Sequence, residues 1–333
     1  MIAGETSASK QRESGRLLDR PGRERPYRGR PLRRDGRPRL GLALSSGGAR
    51  GLAHVGVLQV LEEEGIEIHA IAGSSMGAYV GSLWAAGFSG RELEELAAEM
   101  HDRRQVWKLA DPMFPPVQGL FRGLKAKAHL ERSLGNMCFE DLARTLLIVT
   151  LDLDSKERLV LRRGRLVDAV HASCAMPGII APVMLEGHRC VDGGVIDPLP
   201  VGALRRYAEV DRVLAVSVIP TFDDVDEGVC LLETPVPRRP WWRQFLGYFN
   251  SNINLLAHGN VVDTLRQSIR AAQIRMAHDS SARADLCLRP DQLTGAWFDY
   301  ANFRKFIDSG RAVATARLDE IHALLREPVD RHD

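Results

Sequence analysis

The 333-residue chain is short of cysteine. It has five, Cys138, Cys174, Cys190, Cys230 and Cys287, and no two form a C-x-x-C pair. An odd, scattered set excludes a disulfide framework and a cysteine-based structural zinc site. It suits a reducing compartment, so the expected setting is cytoplasmic. No window offers the roughly 18 consecutive apolar residues that a membrane-spanning helix needs. The nearest stretch, Ile71–Phe88, is broken by Gly and Ser and reads as strand, turn and helix. The N-terminus is polar and arginine-rich, without the apolar run of a secretory signal. No unit of about 20–50 residues repeats, which excludes a solenoid or propeller.

What is present is enough for a large core. Hydrophobic residues make up 44% and charged residues 26%, so neither metal nor disulfide is needed to hold the fold. The net charge of +2 hides an asymmetry. Residues 1–40 carry 12 Lys/Arg against 5 Asp/Glu, while the remaining residues carry 33 against 38. Residues 1–38, rich in Arg, Gly, Pro and Ser, cannot bury enough surface to offset their ordering entropy and are expected to be a disordered basic tail. Such a tail is either simply solvated or an arm for anionic phospholipid or nucleic acid. It contains no nucleic-acid-binding motif, and no nucleic-acid partner is expected.

Order is expected from Leu40. Leu40–Leu44 is a short apolar run suited to a buried strand. A glycine-rich turn, Ser45–Gly51, leads into Leu52–Glu64, where Leu52, Val55, Leu58 and Leu61 share one helical face. The pattern repeats with strand Ile68–Ala72, turn Gly73–Gly77 and helix Ala78–Ala86. Strand–turn–helix occurring twice predicts an α/β fold, three layers thick, with a mainly parallel sheet and helices on both faces. Further strands are expected at Leu146–Leu151, Leu159–Leu161 and Arg212–Val218, with a hairpin turning at Glu186-Gly187. Arg91–His101, Leu166–Ala175, Val261–Ala277 and Phe303–Leu325 read as helices, and the Pro/Gly-rich Asp111–Gly123 as a loop or flap. The expected organisation is a tail (1–38), a catalytic core (39–218) and a C-terminal helical extension (219–333) packed on the core.

Gly73-Ser74-Ser75-Met76-Gly77 fits G-x-S-x-G. A strand that turns sharply into a helix lifts a serine hydroxyl to the apex, and the flanking glycines (Gly73, Gly77) remove side chains that would clash. The same residues also suit a plain strand–helix turn; the apolar strand before and the helix after favour the nucleophile reading. Ser46-Gly47-Gly48-Ala49-Arg50-Gly51 follows the first strand. It lacks the Gly-Lys-Ser/Thr ending of a phosphate loop and the Gly-x-Gly-x-x-Gly of a dinucleotide site. Converging N–H groups there suit an oxyanion hole. Arg50 either holds this loop, meets an anionic head group, or forms a surface ion pair.

A serine nucleophile needs a base. Ten histidines are present and none sits in a hydrolase context; His54, His171, His258 and His278 read as structural or solvated. Asp192-Gly193-Gly194 offers a carboxylate at a glycine turn, although such turns are common. In Pro237–Leu256, Trp241, Trp242, Phe245 and Phe249 recur at helix-like spacing beside Arg238, Arg239 and Arg243. This segment reads as a lid or membrane-interface element, or else as an ordinary amphipathic helix packed on the core.

Together these pieces carry a resemblance. Leu42–Leu58 resembles the opening block of the patatin-like phospholipases, and Gly73–Gly77 resembles their nucleophile elbow. Ala172–Gly178 and Asp192–Val201 resemble their third and fourth blocks, and Asp299–Gly310 is similar to a C-terminal helix of the bacterial RssA-like branch. The resemblance implies a Ser–Asp dyad without histidine, with Ser75 as nucleophile and Asp192 as general base. It implies N–H groups of Gly47, Gly48 and Ala49 as oxyanion donors, supported by Arg50, Gly51, Gly73, Gly77, Gly193 and Gly194. It implies a lipid or acyl-ester substrate, no cofactor and no metal. Ser46 stands where the family usually has the first of three glycines, which bears on the loop's outer geometry. A regulatory or scaffold protein on the same fold, and an acyltransferase, are the competing functions.

Overall fold

The apolar runs form strands, and their alternation builds two cores. The computed structural model describes residues 38–101, 108–222, 224, 261–291 and 298–326. Its strands are β1 (Leu40–Leu44), β2 (Ile68–Ser74), β3 (Gly119–Phe121), β4 (Thr145–Asp152), β5 (Arg158–Leu161), β6 (Gly178–Ile180), β7 (Val183–Leu185), β8 (His188–Asp192), β9 (Arg212–Val216) and β10 (Leu286–Leu288). The main sheet runs β10-β9-β1-β2-β4-β8-β7, with β5 also on β4. From β10 through β4 all neighbours are parallel; β5 and β8 run antiparallel to β4, and β7 to β8. The sheet is therefore mixed, parallel through its centre and antiparallel on one side.

Successive side chains of a strand point to opposite faces, so each central strand feeds both cores. Leu40, Leu42 and Leu44 of β1, Leu146 and Ile148 of β4, and Leu214 and Val216 of β9 enter one cluster. Ala43, Leu147, Val149, Val213 and Ala215 enter the other. The helices are α1 (Ala53–Glu63), α2 (Met76–Ala85), α3 (Gly90–Glu99), α4 (Leu124–Leu134), α5 (Leu166–Ser173), α6 (Val201–Tyr207), α7 (Val261–Ser281), α8 (Phe303–Ala316) and α9 (Leu318–Arg326). The first core is covered by α1, α2, α5, α8 and α9, the second by α6 and α7. No described helix is long and apolar enough to cross a membrane.

Described residues beyond position 218 are woven into this core. β10 extends the sheet beside β9. The stripe Phe303, Phe306, Ile307, Gly310 and Ala314 of α8 is buried against α1. The two helices meet backbone to backbone: a Cβ on Gly310 would stand 1.9 Å from Ala53 O, and one on Gly56 2.0 Å from Ile307 O. Any side chain at either position would force the helices apart and expose Phe306, whose full burial is worth about 2–3 kcal/mol.

Several elements differ from the sequence reading. The first helix begins with a 3-10 turn, Gly48–Leu52, because the glycine loop tightens before the helix proper. The long C-terminal pattern is two helices separated at Arg317. Asp111–Gly123 is not wholly loop: β3 pairs in parallel with β6, and Pro112 bridges back to Phe121. The hairpin turn at Glu186-Gly187 is as expected, with φ of 45° and 88°.

Candidate active site

β2 delivers Ser75. At its end the chain turns into α2 within one residue, and Ser75 takes φ 54° and ψ −119°. A non-glycine residue there is strained. The strain is held by packing: Gly77 passes so close to β1 that a Cβ would lie 2.2 Å from Leu44 O. Ser173, at the end of α5, completes the clamp. Its Oγ accepts the Ser75 N–H at 2.9 Å and donates to Val149 O at 2.7 Å.

β8 delivers Asp192 to the same place. Ile148 and Val149 of β4 pair with β2 on one edge and β5 on the other. One step further, Thr150 and Leu151 still pair with β5, but their other partner is β8. β2 and β8 therefore share one edge of β4, running toward each other, and their ends meet. Ser75 Oγ donates to Asp192 Oδ2 at 2.7 Å. Gly194 N–H donates to Asp192 Oδ1 at 2.7 Å, and Gly193 forms the intervening step of the turn. Both side chains are buried. Burial pushes the Asp192 carboxyl up to about 6, against the opposing pull of the Ser75 hydroxyl and the Gly194 N–H. A carboxylate so placed is a far better base near neutrality than one in water.

The glycine loop lies opposite. Ser45 N–H donates to Val216 O and Ser46 N–H to Pro198 O, fixing the loop to β9 and to the chain after Asp192. Gly48 has φ 58° and opens the 3-10 turn, whose first N–H groups have no partner within the helix. Ser46, Gly47, Gly48 and Arg50 line the same pocket as Ser75 and Asp192; Ala49 and Gly51 are buried behind it. Ser46 is not among the residues with positive φ, which is why a serine can stand at this position without backbone strain.

α7 closes the pocket from the other side, and sequence reasoning gave it no part in the site. Arg266, Ile269, Arg270 and Gln273, spaced as one helical stripe, all line the pocket. Gln273 Nε2 donates to Gly194 O at 3.0 Å, tying the helix to the aspartate's own turn. Met176, Pro177, Ile179, Val195, Val218 and Ile219 complete an apolar wall. The only sequence signal for the α7 stripe was its spacing. Ser173 lay inside a recognised block, yet its role depends on an N–H that the elbow leaves pointing outward.

No described histidine lines the pocket, and His258 lies outside the described residues. His54 is fully buried and its Nε2 donates to Ser45 O at 2.9 Å. Burial holds its pKa down at about 4, only partly offset by that hydrogen bond. Burial likewise lowers His171. Trp241, Trp242, Phe245 and Phe249, the expected lid or membrane element, lie outside the described residues, as do residues 1–37 of the expected tail.

Comparison with known proteins agrees with the motif order. Residues 42–205 match a family model described as Patatin-like phospholipase. An uncharacterized NTE family protein of Mycobacterium tuberculosis is 40% identical over 183 residues, covering 54% of this chain and 49% of that protein. Lysophospholipase NTE1 of Pyricularia oryzae is 30% identical over 190 residues, covering 57% of this chain and 13% of that protein. The chain thus spans about half the length of its mycobacterial relative. Among solved structures, VipD from Legionella pneumophila superposes with a TM-score of 0.43 at 12% identity, covering 94% of this chain and 72% of that one.

Proposed function

We propose that the protein is a lipid acyl hydrolase working through Ser75 and Asp192, a reading supported by the match of residues 42–205 to the patatin-like phospholipase family model. The observation that carries this reading is the buried 2.7 Å hydrogen bond between Ser75 Oγ and a carboxylate whose pKa is pushed to about 6. Asp192 takes the hydroxyl proton as Ser75 attacks the ester carbonyl. The N–H groups of Gly47 and Gly48, with Ala49 behind them, receive the developing oxyanion; one such donor is commonly worth ~3 kcal/mol. The alcohol departs with the proton from Asp192. Water, deprotonated by the same carboxylate, then releases the acid and restores Ser75.

The pocket's composition supports the substrate class. An apolar wall suits an acyl chain, while Arg50, Arg266 and Arg270 bring positive charge to the same space. That pairing fits an acyl ester bearing phosphate, such as a lysophospholipid, in line with the name of the fungal relative. We place the protein in the cytoplasm, in peripheral contact with anionic membrane. The test is hydrolysis of p-nitrophenyl esters and of lysophospholipid by the wild type beside Ser75→Ala and Asp192→Asn. Loss of activity in both folded variants is expected. Full activity in either variant overturns the dyad, and acyl transfer to an added alcohol without free acid would replace hydrolysis with transfer.

A further inference from the structure

The segment after α3 carries a surface feature that the active site does not use. Pro112 bridges to Phe121, and Met113 N–H donates to Leu120 O at 2.9 Å, so residues 112–121 form a narrow hairpin. Its tip holds Phe114 and Val117, which are 93% and 78% exposed. A soluble surface rarely leaves an aromatic ring so bare without use. Pro115 and Pro116 between them stiffen the tip, so little ordering entropy stands against insertion.

We infer that this tip docks the protein on an anionic lipid surface. Three observations select lipid as the occupant. The apolar side chains stand exposed at the tip of a short hairpin, a shape suited to entering acyl chains. From Pro112 through Leu130 the chain has no Asp or Glu, yet it carries Arg122 and Lys125, both exposed beside exposed Leu124. The nearby acid, Asp111, is occupied in accepting the N–H groups of Gly123 and Leu124 at the start of α4. Basic groups beside an apolar tip match an anionic leaflet.

The third observation is continuity with the pocket. The hairpin's β3 pairs with β6, Gly119 opposite Gly178. From β6, Ile179 lines the pocket, and half-exposed Leu265 of α7 packs against Gly178, one residue before Arg266. The tip is thus joined through β3 and β6 to the wall of the pocket.

This inference stands apart from the serine chemistry, and its test keeps the two separate. The full chain is sedimented with phosphatidylglycerol vesicles and with phosphatidylcholine vesicles, as wild type, Phe114→Ser/Val117→Ser and Arg122→Ser/Lys125→Ser. Hydrolysis of a soluble p-nitrophenyl ester is measured in parallel. The wild type is expected to bind phosphatidylglycerol vesicles at least 10-fold more tightly than phosphatidylcholine. The apolar variant should lose 10-fold or more of that binding, and the basic variant should lose its lipid-charge preference, with soluble-ester activity unchanged in both. Unaltered vesicle binding by the apolar variant, or no binding by the wild type, overturns the docking surface. A lowered melting temperature in Phe114→Ser/Val117→Ser also overturns it, since the tip would then be packed within the protein.

Discussion

Ser75 and Asp192 meet because two strands running toward each other end on one edge of a third. Ser74 is paired with Val149, and Asp192 with the next residue, Thr150. The 2.7 Å hydrogen bond between the two side chains is thus set by one residue of register on β4, not by a flexible loop. Thr150 Oγ1 donates to Val191 O at 2.6 Å and reinforces the same junction. Active groups held on strands keep their geometry better than groups held on loops.

On the proposed mechanism, the raised pKa of Asp192 sets the pH dependence of activity. A general base must be ionised, so kcat/KM on a soluble ester should rise through about pH 6 and level off above it. Asp192→Asn should lower kcat by roughly 10³-fold and abolish the rise. A profile flat from pH 4 to 8 in the wild type would remove Asp192 from the reaction.

The same carboxylate should lower stability where it works. Its folded pKa lies above the ordinary aspartate value of 3.8, so the folded state holds the proton more tightly than the unfolded chain. The stability this gives is present below about pH 4 and is lost as pH rises through about 6. Asn keeps an acceptor for the Gly194 N–H and turns a donor toward Ser75 Oγ, without the buried charge. Asp192→Asn should therefore be more stable than the wild type at pH 8, by on the order of 2 kcal/mol, with the gap closing at pH 4. Urea unfolding at the two pH values measures it.

Ser75 pays in backbone strain for its place at the apex of the turn, and its two smallest replacements separate strain from chemistry. Ser75→Ala keeps a Cβ at φ 54° and should lose activity with little change in stability. Ser75→Gly should lose activity equally but raise stability by about 1 kcal/mol, because glycine adopts positive φ freely. Equal melting temperatures for the two variants would mean that the elbow is not strained.

How far the sequence reveals this arrangement depends on how local each signal is. β1, β2 and the elbow are legible because an apolar run, a glycine and a helix follow within about a dozen residues. Asp192 is legible as a candidate because its own turn is glycine-rich, but its pairing with Ser75 is a register on β4 that no local pattern encodes. β10 has only three residues and gains its strand character from β9. In α4, Lys125 and Lys127 alternate with alanine, and only Leu130 and Leu134 are buried, so its periodicity is faint. The α7 stripe mixes arginine, isoleucine and glutamine, which reads as a solvated face until the glycine loop is placed opposite.

On the proposed mechanism Ser173 is a positioning residue, since it bonds the Ser75 backbone and does not line the pocket. Ser173→Ala leaves the Ser75 N–H without its acceptor and frees the elbow to relax. The expected result is a kcat about 10-fold lower with KM little changed, and the apparent pKa near 6 retained, because Asp192 keeps its own partners. Ser173→Thr, which restores an oxygen, should recover part of the rate. A change confined to KM would place Ser173 in substrate binding instead.

The arginines of α7 give the sharpest test of substrate class. Arg266 and Arg270 line the pocket from a helix that Gln273 ties to Gly194, so their charge faces the same space as the proposed dyad. Arg266→Gln/Arg270→Gln keeps a polar side chain, although a shorter one, while removing both charges. For a lysophospholipid, kcat/KM should fall by about 10- to 100-fold, the effect of losing one or two charge-assisted contacts of about 1.5–3 kcal/mol each, partly screened. For a neutral monoacylglycerol of the same chain length it should stay within about twofold. The contrast between the two substrates is the informative quantity, because a helix displaced from the pocket would slow both alike. Equal losses on both would make α7 a structural wall, and the phosphate-reading role would pass to Arg50 or to none of these residues.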